Sequence, residues 1–384
     1  MEGTILAPKA VYIHIPFCTN KCHYCDFTAY VVDGQPVDDY ITALEQEMEL
    51  ITREVPPKEI DTIFIGGGTP TVLSPKQMER LLTSIAKFFP HRSPTLEFTV
   101  EANPGTTGME LLQVMRAGGI NRISFGAQTF RHDLLQKIGR IHGVREIEQS
   151  VEQARQAGFD NLSLDLMFGL PDQTVDDMKE TLSEAVKLAP DHFSCYSLKI
   201  EEGTLFHHLY EREQLPLPSE DDELQMYNLI RNQLYKEGYE QYEVSNFAKP
   251  GKESKHNTVY WLNEEYYGLG TGAHGYIHKV RYANIKGVKE YIRKLQEQKR
   301  PMQESYQVSE REDMENFMIL GLRLLKGVSR ARFHSLYHKS LEEVYGSVIE
   351  HFVQLGLLVR NHDRIKLTDK GLIYGNEVFA SFLI

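Results

Sequence analysis

The feature that most limits the possible folds is an alternation of short apolar runs with longer amphipathic stretches between residues 10 and 200. The runs are rich in β-branched and aromatic residues, which favour strands, and the stretches between them have helical spacing. The predicted strands are Val11–Ile15, Thr62–Ile65, Leu96–Glu101, Arg122–Phe125, Leu162–Leu166 and Phe193–Leu198. Six strands that alternate with helices form a parallel sheet, which closes wholly or partly into a barrel.

Two of the intervening helices carry clear start signals. Ser74 and Gln77 form a capping box at the start of the predicted helix Ser74–Phe89, and Pro75 takes its first position. A second predicted helix, Val175–Leu188, opens with two acidic residues, which favour a helix N-terminus. These signals support the alternation of strands and helices.

Side chains that suit ligand binding lie where the predicted strands end. They are Cys18, Cys22 and Cys25 after the first strand, Gly66, Gly67, Gly68 and Thr69 after the second, Glu101 at the end of the third, Gln128 after the fourth, Asp165 in the fifth and Lys199 after the sixth. Taken singly, each has an ordinary structural explanation, such as a tight turn at the glycines. Because the carboxyl ends of barrel strands meet on one face, together they predict one functional mouth.

Three cysteines in the loop after the first strand can bind one metal centre. Cys18, Cys22 and Cys25 offer thiolates, which are soft ligands for zinc or for an iron–sulfur cluster. With only three thiolates, a cubane cluster keeps one iron open to a substrate. The alternatives are a zinc site completed by His23 or His14, or three unrelated thiols.

The order of motifs along nearly the whole chain resembles the radical SAM superfamily. Within it, the chain is similar to the branch that contains oxygen-independent coproporphyrinogen III oxidase and the HemW-type heme chaperones. The matching residues are Tyr12, the Cys18 to Cys25 loop, Gly66-Gly67-Gly68-Thr69-Pro70-Thr71, Glu101-Ala102-Asn103-Pro104, Gly126-Ala127-Gln128, Gly139-Arg140 and Asp165-Leu166-Met167-Phe168-Gly169-Leu170-Pro171. The resemblance implies an α/β fold, a partial (β/α)6 TIM-like radical SAM barrel with a smaller helical, winged-helix-like C-terminal domain.

The resemblance also implies a [4Fe-4S] cluster on the three cysteines and bound S-adenosylmethionine. Glycines let backbone groups approach the methionine amine, and a carboxylate such as Glu101 can accept hydrogen bonds from ribose hydroxyls. The residues expected to contact cofactors are Tyr12, Tyr24, Gly67, Gly68, Thr69, Glu101, Gln128, Arg140, Asp165 and His256. In the oxidase, the positions of Gln128, Arg140 and Asp165 line a second S-adenosylmethionine site.

Two departures from the oxidase pattern favour the chaperone branch. The oxidase carries a further cysteine two residues after the third one, and this chain has Phe27 there. Only seventeen residues precede Cys18, fewer than the N-terminal extension of the oxidase. The fourth cysteine, Cys195, lies in the sixth predicted strand, where a buried structural thiol is expected.

A second motif, Lys255-His256-Asn257-Thr258-Val259-Tyr260-Trp261, matches the His-Asn-x-x-Tyr-Trp motif of this branch. Imidazole is a common axial ligand of heme iron, so we predict that His256 binds heme iron while the rings of Tyr260 and Trp261 form a flat apolar wall for the porphyrin. The alternative is that His256 caps a loop while the aromatic rings pack in the core.

His274 is a second candidate for heme contact. It lies in a glycine-rich segment that lacks the βαβ context of a dinucleotide loop.

The remaining sequence predicts three parts: a barrel over 1–215, a linking helix with the heme motif over 216–300, and a C-terminal domain over 301–384. Ser219–Glu237 is predicted as the linking helix. Glu312–Leu325 and Leu341–Leu355 are predicted helices, followed by a short strand pair around Arg364–Thr368. In this branch such a winged-helix-like unit is expected to act as a lid or support, with DNA binding as the alternative.

Composition agrees with a cytoplasmic protein whose thiols stay reduced. The 384 residues are 41% hydrophobic and 25% charged, with four cysteines and no apolar run long enough to cross a bilayer. The formal net charge of -12 argues against nucleic-acid binding, which needs clustered Lys and Arg. We expect no membrane anchor, although peripheral contact with a membrane stays open.

Two functions from different classes follow from the resemblance. The first is a heme chaperone that binds heme, the cluster and S-adenosylmethionine and delivers heme to cytochromes or other hemoproteins. The alternative is an oxygen-independent coproporphyrinogen III oxidase, a radical SAM decarboxylase of porphyrin biosynthesis. Phe27 and the His256 motif favour the chaperone over the enzyme. The sequence leaves open whether S-adenosylmethionine is cleaved and whether the chain forms a homodimer.

Overall fold

The structure is a computed structural model that describes residues 7–383. Within this range the chain contains 17 strands. The strands are Ala10–Ile15 (β1), Phe17–Cys18 (β2), Tyr30–Val31 (β3), Ile60–Gly67 (β4), Arg92–Ala102 (β5), Arg122–Gln128 (β6), Leu162–Phe168 (β7), His192–Ser197 (β8), Glu240–Gln241 (β9), Asn246–Ala248 (β10), Tyr266–Leu269 (β11), His274–Ile277 (β12), Val280–Asn284 (β13), Met302–Gln307 (β14), Val328–Ser329 (β15), Leu358–Arg360 (β16) and Arg364–Leu367 (β17).

The same range contains 15 α-helices and one short 3₁₀ helix, Pro70–Val72. The α-helices are Val37–Glu54 (α1), Pro75–Phe88 (α2), Met109–Ala117 (α3), His132–Lys137 (α4), Val144–Gln156 (α5), Val175–Lys187 (α6), Leu205–Tyr210 (α7), Glu220–Lys236 (α8), Lys255–Trp261 (α9), Val288–Gln296 (α10), Glu310–Gly321 (α11), Arg330–Tyr337 (α12), Leu341–Gln354 (α13), Asp369–Ile373 (α14) and Gly375–Ala380 (α15).

The six predicted strands form the parallel centre of one large sheet, in the order β1-β4-β5-β6-β7-β8. The predicted barrel-type α/β fold is therefore confirmed. The capping box of Ser74 and Gln77 is also present at the start of α2, as the sequence predicts. Helices cross between successive strands and bury their apolar faces against the sheet, which makes one continuous core.

The chain after residue 216 extends the same sheet at both edges. Strand β11 pairs parallel to β1, and β12, β13 and β14 continue from it as antiparallel strands. At the other edge, β10 and β9 follow β8. The sheet thus takes strands from both sides of residues 215 and 300. The division of the chain at these residues stays a prediction.

Residues 310–383 include a unit with the order of a winged helix: α11, β15, α12, α13, then the hairpin of β16 and β17. The three strands form a separate sheet in the order β15-β17-β16. A second apolar core fills this unit, with side chains from Met314 to Phe382. The predicted helices and strand pair are present, and β15 and α12 are additional elements.

Helix α9, which carries the His-Asn-x-x-Tyr-Trp motif, closes the amino end of the barrel. The carboxylate of Glu97 on β5 accepts hydrogen bonds from the backbone N–H groups of Lys255 (2.9 Å) and His256 (3.0 Å). A carboxylate at a helix N-terminus stabilises the unpaired donors there. The motif therefore lies at the opposite end of the barrel from the cysteines.

No helix among residues 7–383 is both long and apolar enough to cross a membrane.

Candidate functional site

The cysteine loop lies at the carboxyl end of β1 and lines a cavity of about 370 Å³ that extends into the barrel. Cys18, Cys22 and Cys25 are all partly exposed and form no disulfide. Burial raises the pKa of Cys18, and it raises the pKa of Cys25 to about 11. Binding of a metal centre to these thiols therefore releases protons, because thiolates are the metal-binding form.

The arrangement of the three thiols fits a cubane cluster better than a zinc ion. Among the described residues, Cys18, Cys22 and Cys25 do not form a group whose ligand atoms all lie within 4.8 Å of one another. Tetrahedral zinc holds its ligands closer together, since zinc–sulfur bonds are about 2.3 Å, whereas a cubane spreads them over different irons. Both ring nitrogens of His14 are hydrogen-bonded inside the protein, and Nδ1 of His23 bonds a backbone carbonyl oxygen.

His14 connects the cysteine loop to the glycine-rich loop after β4. Its Nε2 donates to the backbone oxygen of Thr28 at 2.7 Å, so Nδ1 accepts from the hydroxyl of Tyr12 at 2.9 Å. A Cβ atom on Gly67, which has φ +107°, would lie 2.3 Å from the His14 ring. Only glycine fits this position, because a side chain would both strain the backbone and displace the imidazole.

A chain of hydrogen bonds continues from the first cysteine across the mouth. The hydroxyl of Thr69 donates to Sγ of Cys18 at 3.5 Å, and Nδ2 of Asn103 donates to the Thr69 hydroxyl at 2.9 Å. The guanidinium of Arg140 donates to Oδ1 of Asn103 at 2.7 Å and to the hydroxyl of Tyr24 at 3.0 Å. Side chains from two strand ends, from the segment after α4 and from the cysteine loop thus form one polar network.

Two carboxyl groups face the cavity below this network. Oε2 of Glu101 accepts from the backbone N–H of Gly67 at 2.9 Å, and Asp165 accepts from the hydroxyl of Ser124 at 3.0 Å. Burial, and then the nearby charge of Asp165, raise the pKa of Glu101 to about 7. Burial likewise raises the pKa of Asp165. The Glu101 carboxyl can therefore change its charge near neutral pH.

We expect the affinity for S-adenosylmethionine to increase as the pH rises from 6 to 8. Ribose hydroxyls donate to a carboxylate, so they favour the ionised form of Glu101, whose pKa in the free protein is about 7. At pH 6 about a tenth of the Glu101 carboxyl groups are ionised. The affinity for S-adenosylmethionine should therefore be up to about tenfold weaker at pH 6 than at pH 8. Calorimetry on the cluster-loaded protein measures this change.

Glu101→Gln is the matched variant for the pH experiment, since glutamine keeps an acceptor oxygen and does not titrate. The amino group of the ligand titrates in the same range, so the difference between the two proteins isolates the carboxyl. Equal pH profiles for the native chain and Glu101→Gln would refute the assignment of Glu101 to this pH dependence.

The structure brings most of the predicted site residues into the cavity wall. Those that line it are Cys18, Cys22, Tyr24, Cys25, Gly67, Gly68, Thr69, Glu101, Gln128, Arg140 and Asp165, together with Lys199. Tyr12 is not among the lining residues, because its hydroxyl is held by His14 and its ring stacks against Phe64. Its contact with a cofactor stays a prediction.

The prediction that His256 binds heme iron is contradicted by its position. The side chain is fully buried at the barrel floor, and its ring stacks against Phe64. Nδ1 lies 2.9 Å from the hydroxyl of Thr62, and Nε2 lies 2.9 Å from the hydroxyl of Tyr260. Burial lowers the pKa of His256 to about 3, so the ring is neutral. With both nitrogens engaged and no exposed surface, the imidazole of His256 has a structural role in this arrangement, and heme ligation would need α9 to move away from the barrel.

The remaining motif residues face different surroundings. The ring of Trp261 packs beneath the guanidinium of Arg323, against the winged-helix unit and away from the mouth. Asn257 lines the floor of the main cavity. His274, by contrast, is exposed at the start of β12. The pKa of His14 is lowered mainly by the burial of His14 itself, and the nearby His274 lowers it further. The motif therefore does not form one aromatic wall.

Several cavity residues were missed by sequence reasoning. They are Phe64, Arg122, Ser124, Ser194, Tyr196 and Asn257. All but Asn257 lie on barrel strands, where alternate residues face inward. Counting in twos along β6, from Arg122 to Ser124, and along β8, from Ser194 to Tyr196, identifies these inward positions. That signal was present in the sequence.

Comparisons with known proteins agree with this geometry. The sequence profile of the radical SAM superfamily matches residues 12–185, and that of the HemN C-terminal domain matches residues 308–374. The heme chaperone HemW of Bacillus subtilis is 45% identical over 98% of this chain and 99% of its own length. The HemW proteins of Lactococcus lactis and Escherichia coli are 44% and 35% identical, over 98% of this chain and 98% and 99% of their lengths.

A solved structure of coproporphyrinogen III oxidase (HemN) from Escherichia coli, a radical SAM enzyme, superposes with a TM-score of 0.86. It covers 98% of this chain and 90% of its own chain, at 23% sequence identity. At this identity the superposition supports the shared fold and does not by itself assign the reaction.

The parallel barrel, with three cysteines at its mouth and a glycine-rich loop beside them, defines an iron–sulfur protein that binds S-adenosylmethionine. The chain belongs to the radical SAM superfamily and, within it, to the family of the HemW proteins.

The residues at the mouth are the ones that would hold the cofactors of this superfamily. Cys18, Cys22 and Cys25 would hold the [4Fe-4S] cluster, while the backbone at Gly67 and the carboxylate of Glu101 would hold S-adenosylmethionine. When bound and reduced, the cluster would be able to supply an electron to the sulfonium of S-adenosylmethionine. The protein's own part is to position the ligand and to exclude water from the barrel.

Proposed function

We propose that this chain is a heme chaperone, which binds heme and transfers it to heme-accepting proteins such as respiratory cytochromes. The observation that carries the proposal is the full-length similarity to proteins named heme chaperone HemW, at 45% identity to the protein of Bacillus subtilis. Because the similarity extends through both the barrel and the C-terminal unit, it includes every part of the described structure.

The side chain at position 27 supports a chaperone over a decarboxylase. Phe27 occupies the place of the further cysteine of the oxidase, lines the mouth of the cavity and is 60% exposed. An aromatic ring at the mouth of a ligand cavity can contact an apolar ligand or partner. The flat ring of a porphyrin is such a ligand.

His274 is the side chain we propose as the heme ligand in place of His256. It is exposed, so its imidazole can reach a heme at the protein surface. Strand β12 begins at His274, directly after the loop that follows β11 at the carboxyl end of the parallel strands. Heme bound there lies near the mouth, so the cluster and heme sites are neighbours.

The cellular setting of the proposed function is the cytoplasm, since the three partly exposed cysteines need a reducing compartment to stay available for the cluster. Recipients of heme in respiration lie at membranes, so we propose transient, peripheral contact with them. Transfer of heme from the loaded protein to an apocytochrome, followed by its absorbance spectrum, tests this step.

The experiment that tests the function compares heme binding with oxidase activity in one preparation. The chain is reconstituted anaerobically with iron and sulfide and given S-adenosylmethionine and a reductant. We expect heme to be retained on gel filtration with a Soret band, and coproporphyrinogen III to be recovered unchanged. Conversion of coproporphyrinogen III to its divinyl product would overturn the chaperone assignment.

Replacement of His274 by alanine should shift the Soret band and speed heme loss at least about tenfold, because an axial imidazole bond is removed. His351→Ala, at an exposed histidine of α13, is the matched control and should leave both unchanged. His256→Ala should instead lower the melting temperature, since two buried hydrogen bonds are lost. An unchanged spectrum in His274→Ala would move the ligand to another side chain.

A further inference from the structure

The floor of the main cavity contains a buried cation that no residue neutralises by direct contact. Arg122 on β6 is 2% exposed, yet its side chain lines the cavity. Its Nε is buried without a hydrogen-bond partner, and its guanidinium donates to no other residue within 7–383. A buried charged group of this kind is costly unless something pairs with it.

The two carboxyl groups nearest in the barrel are occupied elsewhere. Glu101 accepts from the backbone of Gly67, and both oxygens of Asp165 accept from the hydroxyl of Ser124. The charge of Arg122 acts to lower the pKa of both carboxyl groups, so it lies near them. Among the described residues, no carboxylate oxygen lies within 4.0 Å of a guanidinium nitrogen of Arg122, the distance that an ion pair requires.

A second donor lies at the same floor. The side chain of Asn257, at the start of α9, lines the cavity, and its amide makes no hydrogen bond within the described part of the chain. Its backbone N–H is held by the hydroxyl of Ser254, which fixes the residue on the helix. A guanidinium and an amide that share a cavity wall are donors that match the two oxygens of a carboxylate.

We propose that the cavity floor binds a carboxylate group, with Arg122 and Asn257 as its donors. The cavity of about 370 Å³ is at the small end for ligand sites, so it admits an acid-bearing arm or a small acid and not a whole porphyrin. The resemblance to the superfamily implies that the carboxylate of S-adenosylmethionine binds the open iron of the cluster, so it is not the occupant of the floor. The two remaining sources are a propionate arm of heme, which rests on the proposed function, and a free carboxylic acid.

The test uses the full-length, cluster-loaded chain and its Arg122→Met variant. Heme and heme dimethyl ester, which has no free carboxylate, are titrated in the same solvent, and sodium propionate is titrated by calorimetry. If the propionate arm is the occupant, Arg122→Met weakens heme at least about tenfold and leaves the ester within twofold. If a free acid is the occupant, sodium propionate binds the native chain and not the variant, while heme is unaffected.

Further variants separate this site from a merely structural role. Asn257→Leu should weaken the same ligand severalfold, and Arg122→Lys should recover part of the affinity, since it restores the charge without the forked donors. Arg145→Met, at an exposed arginine of α5, is the matched control. S-adenosylmethionine affinity should stay within twofold in Asn257→Leu, Arg122→Lys and Arg145→Met, which keep the positive charge near Glu101.

The outcomes distinguish this inference from the proposed function. A native chain that binds no heme refutes the chaperone role, and the propionate titration then decides the floor site. If Arg122→Met does not fold, the comparison of heme with its ester in Asn257→Leu decides instead. The inference is overturned if neither heme nor sodium propionate binds more weakly in the folded variant than in the native chain.

Discussion

Replacing Cys18, Cys22 and Cys25 together by alanine should remove the iron–sulfur absorbance and leave a folded, soluble chain. The three thiols are partly exposed at the mouth and do not belong to the apolar core, so their loss leaves the packing of the barrel intact. Without thiolates the cluster has no protein ligands. Iron and sulfide analysis with visible absorbance measures the cluster, and far-UV circular dichroism measures the fold.

Cys195→Ala is the control for the cysteine experiment. This thiol is buried in β8, and burial raises its pKa far above the usual range, so it stays protonated and unavailable to iron. The variant should keep the full cluster, with only a modest loss of stability from the small cavity it creates. A triple variant that still binds about four irons in a cubane would refute the assignment of the ligands.

Gly67→Val should raise the dissociation constant for S-adenosylmethionine at least about tenfold. At φ +107° a β-branched residue is strained, and its Cβ would lie 2.3 Å from the His14 ring. Movement of His14 also disturbs its bond to the backbone of Thr28 in the cysteine loop. Valine keeps the backbone N–H that donates to Glu101, but a backbone shift that broke this charged hydrogen bond would cost about 1.5–3 kcal/mol.

Gly34→Val separates the steric effect from the backbone strain. Gly34 has φ +71°, and a Cβ there would meet no atom within 4 Å. Its substitution should lower the melting temperature slightly and leave the affinity for S-adenosylmethionine unchanged. Equal losses of affinity in the two variants, by calorimetry, would indicate that general destabilisation and not the local clash at Gly67 is responsible.

The sequence predicted the central part of the fold because its signals are local. Each strand of the parallel centre is a short apolar run, and helices such as α2 carry their own caps. Strand β11 was missed because Tyr266–Leu269 is only four residues long and runs into a glycine-rich segment that is typical of a loop. Its place beside β1 depends on a pairing across more than 250 residues.

For the site, the sequence predicted which strand ends face the cavity but not which side chains contact one another there. Residues at strand ends, such as Glu101 and Gln128, line the cavity, because the carboxyl ends of parallel strands meet at one face whatever the details of packing. The Arg140 partners Asn103 and Tyr24 could not be paired in advance. Their contacts depend on how three separate loops pack, and no local pattern encodes that.

The sequence by itself determined the parallel barrel and the family, and it predicts the ligands of the cluster, since these depend on periodicity and on spacing within short segments. Only the tertiary structure decided the surroundings of His256 and Arg122. Helix α9 folds back under the barrel because Glu97 binds its N-terminus, and this buries the imidazole that the motif would otherwise expose. The same closure encloses Arg122 at the cavity floor. Burial and hydrogen-bond partners depend on contacts between distant segments, so they emerge only when the chain is folded.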